Sequence, residues 1–354
     1  MRNLILASLA ALSVFSSPAQ SQTPVANEAD AVFKDFAFAS GEKLPELKIH
    51  YTTLGTPVRD KDGSVSNAVM ILHGTGGTGK QFFQPQFASV LFGPGQVLDT
   101  SKYFIILPDN IGHGGSSKPS DGMRMAFPKY DYDDMVAAQY RLVTEKLGVK
   151  KLKLILGTSM GCMHGFVWST KYASAVEKLA PFACLPVEIA GQNRMWRKLS
   201  IDAIKADPAW NSGNYLSPPL SGLRTAASLT MIAGANPLAM QTQFPTRQSA
   251  EAFTDEAFAR IITRNDANDI IYQLDSSRNY NPWPLLDTIN TPMLWINSAD
   301  DFINPANYGI TEMAINRMPS AKFILIPASS ETKGHGTHTW AKFWKDDLAK
   351  LMAQ

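Results

Sequence analysis

Residues Leu152–Trp168 read LKLILGTSMGCMHGFVW. Leu152, Leu154, Ile155 and Leu156 form an apolar run of the length a buried parallel strand needs, and from Met160 the pattern becomes helical. Between the two lies Gly157-Thr158-Ser159-Met160-Gly161, a G-x-S-x-G sequence. A strand that turns directly into a helix brings neighbouring backbone so close that side chains at the flanking positions would collide, which explains the two glycines. The serine between them is held in a tight, strained turn, with its hydroxyl presented above the carboxyl end of the sheet. Ser159 is the candidate nucleophile. A plain strand-to-helix turn in a doubly wound sheet shares this pattern, so its meaning depends on whether partner residues follow in the right order.

Upstream, PELKIHYTTL (45–54) alternates as a half-exposed strand. The buried strand Ala68–Leu72 then runs into His73-Gly74-Thr75-Gly76-Gly77. A glycine-rich loop at this place suits an oxyanion hole, with the backbone N–H groups of Thr75 and Met160 as donors. A phosphate loop is the competing reading, since Gly74 and Gly79-Lys80 give G-x-x-x-x-G-K. Gln81, however, stands where the magnesium-binding Ser or Thr would be. His73 reads as a loop residue rather than a base. A second buried strand, Tyr103–Leu107, ends in the loop Pro108–Ser116, where His113 reads as turn-stabilising. A helix is expected over Asp133–Leu147, closed by Gly148.

Downstream, strand and helix stop alternating between about 185 and 286. This region reads as a helical insertion whose Met and aromatic residues cover the site or pack the cap. The sheet resumes at Met293–Ile296 and exits through Asn297-Ser298-Ala299-Asp300-Asp301. An acid at the end of a buried strand can orient a histidine and stabilise its imidazolium. Asp301 is preferred, with Asp300 as the alternative or as a loop-capping acceptor. After a last strand, Lys322–Ile326, comes Glu331-Thr332-Lys333-Gly334-His335-Gly336-Thr337-His338. His335 is the expected general base, because a serine hydroxyl needs an imidazole to take its proton. His338 is its competitor, and a two-histidine metal site lacks a clear third ligand. A closing helix is expected over Ala341–Met352.

The ends and the composition set the context. Arg2, the apolar run Leu4–Phe15 and Ser17-Pro18-Ala19 read as an export signal cut after Ala19 or Ser21, and the run is too short to span a bilayer. The mature protein is therefore expected to be periplasmic or secreted, without stable membrane insertion. About 330 residues then remain, 45% of the chain being hydrophobic and 18% charged, which suits a large globular core. Lys plus Arg number 33 against 31 Asp plus Glu, and this near balance gives no electrostatic case for nucleic acid. The partner is expected to be a small acyl substrate; the oligomeric state is left open. Cys162 and Cys184 have no zinc-site spacing, and they read equally as a disulfide or as two small buried hydrophobes.

Ser159, Asp301 and His335 follow the chain order of the α/β-hydrolase fold. Beyond the fold, the chain resembles the homoserine O-acetyltransferase-like branch over roughly residues 45–350. The resemblance rests on YTTLGTP, the helix DDMVAAQYRLVTEKLG, the elbow GTSMGCM, the cap and the terminal Gly334-His335. It implies an α/β architecture with a mostly parallel sheet; together with the export signal read at 1–21, the expected division is core at 22–184, helical cap at 185–286, and core again at 287–354. It also implies Ser159, Asp301 and His335 as the triad. Gly157-Thr158 and His73-Gly74-Thr75 depart from the branch's usual residues, and an exported enzyme would not meet cytosolic acetyl-CoA. The expected activity is thus that of a cofactor-independent serine esterase. Acyl transfer to another acceptor is the alternative, and a non-catalytic binding module on the same scaffold is the reading from a different class. Dehalogenase or epoxide hydrolase chemistry would need an aspartate at 159.

Overall fold

A computed structural model describes residues 25–262 and 265–354, apart from the side chains of 260–262. The expected export segment lies outside the described residues. The strands are β1 (Ala26–Ala37), β2 (Lys43–Leu54), β3 (Ala68–Leu72), β4 (Phe104–Pro108), β5 (Leu154–Thr158), β6 (Leu179–Phe182), β7 (Met293–Ser298) and β8 (Ala321–Ile326). They form one sheet in the order β1-β2-β4-β3-β5-β6-β7-β8. β2 runs antiparallel to both β1 and β4, and the strands from β4 to β8 are mutually parallel.

The central strands β3, β4 and β5 are buried at every position because helices cover both faces. Alternate side chains point to opposite sides. Met70, Leu72, Ile106 and Ile155 meet Met135 and Val136 of α2 (Tyr132–Arg141) and Met163, Phe166 and Trp168 of α3 (Met160–Lys171). Val69, Ile71, Ile105, Leu107, Leu154 and Leu156 face the other way, onto Phe87 of α1 (Pro85–Leu91) and Leu348 and Leu351 of α10 (Lys345–Met352). Asp131 and Asp134 form a capping box at the start of α2. That helix ends earlier than its spacing predicts and passes into a wider turn, Leu142–Lys146, before Gly148 at φ +71°. The closing helix also starts late: Ala341–Phe343 is a separate turn, and Trp344, at φ −142°, packs on Phe87 and Phe182.

The helices α4 (Gly191–Ala206), α5 (Leu220–Gly234), α6 (Pro237–Gln243), α7 (Arg247–Ile262) and α8 (Ala267–Asp275) lie between β6 and β7, and α9 (Ile310–Arg317) lies between β7 and β8. The helices inserted after β6 have a core of their own, including Trp196, Ile201, Ile204, Leu223, Ala226, Ile271 and Leu274. Cys162 on α3 and Cys184 beyond β6 are joined in a disulfide with a Cα separation of 5.9 Å. The bond ties the helix after the serine to the start of the helical insertion.

The junction of β5 with α3 is as close as its glycines suggest. A Cβ at Gly157 would lie 2.0 Å from the Gly161 carbonyl oxygen, and one at Gly161 would lie 2.2 Å from the Leu72 carbonyl oxygen. Both obstacles are backbone atoms, which cannot swing aside. Gly161→Ala is expected to cost roughly 3 kcal/mol in urea unfolding. Gly165→Ala, on the same helix but with 3.9 Å to the nearest atom, should be neutral or slightly stabilising. Equal effects at the two positions would contradict this account of the packing.

Candidate active site

Ser159 sits at φ 54° and ψ −111°, outside the ordinary regions for an L-residue. The turn persists because its neighbours fix it. Ser159 N–H donates to the Phe182 carbonyl at 2.8 Å, and its own carbonyl accepts from Met163 at 3.1 Å. The side chain therefore stands at the carboxyl end of β5 rather than capping α3.

Ser159 Oγ lies 2.7 Å from His335 Nε2, and His335 Nδ1 lies 2.8 Å from Asp301 Oδ2. A carboxylate can only accept here, so Nδ1 carries the proton and Nε2 is left to accept from the serine hydroxyl. Asp301 Oδ1 accepts from the N–H groups of Ile303 and Asn304 at 2.9 and 3.0 Å. Burial alone would raise the Asp301 pKa. The His335 charge and hydrogen bond, with the Asn304 amide, outweigh it and hold the carboxyl below its ordinary value.

Asp300 faces elsewhere. It accepts from Asn236 Nδ2 at 2.6 Å, Thr332 Oγ1 at 2.8 Å and the Gly334 amide at 3.1 Å. His338 is likewise off the serine: its Nδ1–H donates to the His335 carbonyl, and burial, then the nearby His335 charge, pushes its pKa down to about 3. The alternatives at each position are thus separated by geometry, with Asp301 and His335 in line with Ser159.

The Thr75 and Met160 N–H groups donate to no protein group among the described residues. Met160 is the first residue of α3, where an unpaired amide is expected. Gly74 brings the Thr75 loop against the serine, since a Cβ there would lie 3.2 Å from Ser159 Cβ. His113 Nε2 accepts from Gly76 N–H at 3.2 Å while its Nδ1–H donates to the Ile111 carbonyl at 2.9 Å. His73 donates to the Gly74 carbonyl at 2.8 Å and accepts from Asn110 N–H at 3.0 Å. The two imidazoles thereby join the loops after β3 and β4. The phosphate-loop pattern is used differently: Gly79 N–H donates to Asp109, Gln81 donates to Thr158 Oγ1, and Lys80 pairs with Glu28.

Ser159, His335, Thr75 and Gly76 open into a cavity of about 290 Å³ whose far side comes from the helical insertion, including Trp196, Arg197 and Ala227. The sequence pattern marked Met and aromatic residues of the insertion, Trp196 among them, but singled out none as a substrate contact. Arg197 carried a signal even so, because it shares the buried face of α4 with Trp196, Ser200, Ile201 and Ile204.

A mostly parallel eight-stranded sheet with a serine at the tight turn after its fifth strand defines the α/β-hydrolase class of enzymes. The chain belongs to this family: the alpha/beta hydrolase fold pattern matches residues 67–330. The homoserine O-acetyltransferase of Methanohalobium evestigatum is 29% identical over 312 residues, covering 77% of this chain and 62% of the relative's length. Solved structures share the fold as well. The homoserine O-acetyltransferase from Bacillus anthracis superposes with a TM-score of 0.81 at 20% identity, covering 93% of this chain and 98% of that one. An acetylester hydrolase from Corynebacterium glutamicum gives 0.80 at 21%, covering 93% and 96%.

Burial lowers the pKa of His73 to about 4 and those of His113 and His338 to about 3. In the unfolded chain these imidazoles take up protons below about pH 6.5, whereas in the folded protein they do so only near pH 4 and below. Stability present above pH 6.5 is therefore lost as the pH falls. The urea midpoint should drop between pH 7 and pH 5, and His113→Asn should make that drop shallower. A midpoint flat over this range would contradict the assignment of buried neutral imidazoles.

Proposed function

We propose that the protein is a serine acyl-transfer enzyme, with Ser159 as nucleophile, His335 as general base, Asp301 as the orienting acid, and the amides of Thr75 and Met160 as the oxyanion hole. The observation that carries this reading is the unbroken hydrogen-bond line from Asp301 through His335 to Ser159.

The reaction begins when His335 Nε2 takes the Ser159 proton as Oγ attacks the carbonyl carbon of an ester. The negative charge that develops on the carbonyl oxygen is met by the two amides, and removing one such donor typically costs about a hundredfold or more in rate. The C–O bond to the leaving group breaks, and His335 returns its proton to the departing oxygen. A second O–H group then adds to the acyl carbon while His335 takes its proton; the acyl C–Oγ bond breaks, and His335 returns that proton to Ser159 Oγ, regenerating the serine.

Water as the second O–H makes the protein an esterase, the reading favoured by the departures from the branch at Gly157-Thr158 and His73-Gly74-Thr75. An alcohol makes it an acyltransferase, and the name of the Methanohalobium relative favours that reading. The Cys162–Cys184 bond supports an oxidising compartment, consistent with the proposed export after cleavage near Ala19 or Ser21.

The mature protein is expected to hydrolyse short p-nitrophenyl esters and to be labelled on Ser159 by a fluorophosphonate. Ser159→Ala and His335→Ala should lose nearly all turnover. Asp301→Asn should lose about 10⁴-fold in kcat, by analogy with the same change in a serine protease triad, and Asp300→Asn much less. Added homoserine or a simple alcohol that captures the acyl group faster than water would identify the acyltransferase. Wild-type protein that neither turns over esters nor takes the label would overturn the serine mechanism.

A further inference from the structure

Arg194 and Arg197 lie one turn apart on α4, in different electrostatic settings. Arg194 pairs with Asp275 at 2.9 Å, and Arg278 approaches the same carboxylate at 3.8 Å. Arg197 is only 2% exposed, and among the described residues no carboxylate lies within ion-pair distance of it. Its Nε donates to Asn193 Oδ1 at 2.9 Å, its Nη1 makes a long bond of 3.4 Å to the Leu274 carbonyl, and its other polar neighbour is the Tyr132 hydroxyl. None of these is a carboxylate, and the Arg194 guanidinium nearby is a second cation rather than a counter-ion.

A guanidinium does not lose its proton in a protein, and a buried charge without a counter-ion is costly. This one lines the same cavity as Ser159 and His335. Its direction is fixed from behind. Asn193 Nδ2 donates to the Ile303 carbonyl and Asn304 Oδ1, both at 3.1 Å, and the amides of Ile303 and Asn304 hold Asp301. The loop that places the acid therefore also places the arginine.

We propose that Arg197 receives a carboxylate carried by the molecule that occupies this cavity, so that the enzyme selects acyl compounds with an anionic arm. The proposal rests on the acyl-transfer reading of Ser159. Among the described residues lining the cavity Arg197 is the sole Arg or Lys, and the wall around it is largely apolar, with Trp196, Ala226, Ala227, Ile270 and Leu274. One fork of N–H donors matches one planar carboxylate, whereas a phosphate dianion would call for further cations. The volume of about 290 Å³ suits a small molecule. The carboxylate belongs either to the acyl part or to the alcohol part of the substrate, and the two sources are separable by experiment.

Two matched pairs of esters make the test. In the first, p-nitrophenyl hemiglutarate is compared with its methyl-capped diester, which puts the charge on the acyl side. In the second, the acetyl ester of an ω-hydroxy acid is compared with its methyl ester, which puts the charge on the alcohol side. Wild-type kcat/KM should favour the charged member of one pair by tenfold or more, chiefly through KM. Arg197→Met should abolish that preference, and Arg197→Lys should keep part of it. An arginine that merely pins the helical insertion to the core would lower both members alike, leaving the ratio unchanged, and that result overturns the proposal. So does a wild type with no preference in either pair.

Calorimetric titration with pentanoate against pentanamide reads the same site without turnover. Binding of pentanoate that is lost in Arg197→Met supports the proposal even if Ser159 takes no fluorophosphonate, in which case the serine mechanism alone fails. Labelled Ser159 with equal binding of acid and amide overturns the arginine proposal alone.

Discussion

The close approach of α3 to the sheet is the constraint on which the rest depends. With Gly161 against the Leu72 carbonyl and Gly157 against Gly161, the chain has no room for side chains at either flank. The residue between must absorb the change of direction, and Ser159 does so at φ 54°. Such a backbone costs of order 1–3 kcal/mol and survives only where its surroundings over-determine it. Here these are the buried strands β3 and β6 and the Cys162–Cys184 bond at the back of α3. The strain has a use: it frees the serine side chain from helix capping and leaves the Met160 amide unpaired beside it.

The loops after β3 and β4 are joined to each other and to the helices behind them by buried polar contacts between neutral groups. His73 and His113 connect the loops after β3 and β4, and Gln139 of α2 donates to both Asn110 and His164 while accepting from Trp168 at 2.7 Å. Because these groups stay neutral, their hydrogen bonds carry no large desolvation cost, and each depends on the others for its partner. The glutamine explains why one helix of the sequence was so informative. In DDMVAAQYRLVTEKLG the apolar positions serve packing, but Gln139 serves the loop carrying Asn110.

The central sheet was legible because strands buried on both faces have to be written as unbroken apolar runs, and AVMIL, FIIL, LIL and MLWI are such runs. β1 was not anticipated. It pairs only with β2 and is largely exposed, so its sequence ANEADAVFKDFA lacks that signature. The serine turn could be read because steric exclusion leaves glycine as the residue that fits. Asp301 could be preferred but Asp300 not set aside, since adjacent positions differ only in direction, which the loop after β7 decides. The Cys162–Cys184 pairing depends in the same way on a 5.9 Å distance between elements far apart in topology. The insertion was readable as helical, yet its contribution to the cavity was hidden: burial against a core and burial against a cavity leave the same periodicity. Arg197 is the exception, because a cation on a buried face needs a reason that packing does not supply.

The two aspartates show how little separates the site from its cover. Asp301 turns inward to His335, while Asp300 takes hydrogen bonds from Thr332 and Gly334 of the histidine loop and from Asn236 at the start of α6. Asn236 also donates to the Thr332 carbonyl at 2.8 Å and caps α6 through Ala239 N–H. From α4, Asn193 holds Asn304, whose amide holds Asp301. The helical insertion is therefore anchored twice to the acid loop, each time through a neutral amide side chain. Any shift of these helices that lengthens either contact moves the loop carrying Asp301, and through it the hydrogen bond that sets the tautomer of His335. Covering the cavity and orienting His335 are, in this fold, one mechanical problem.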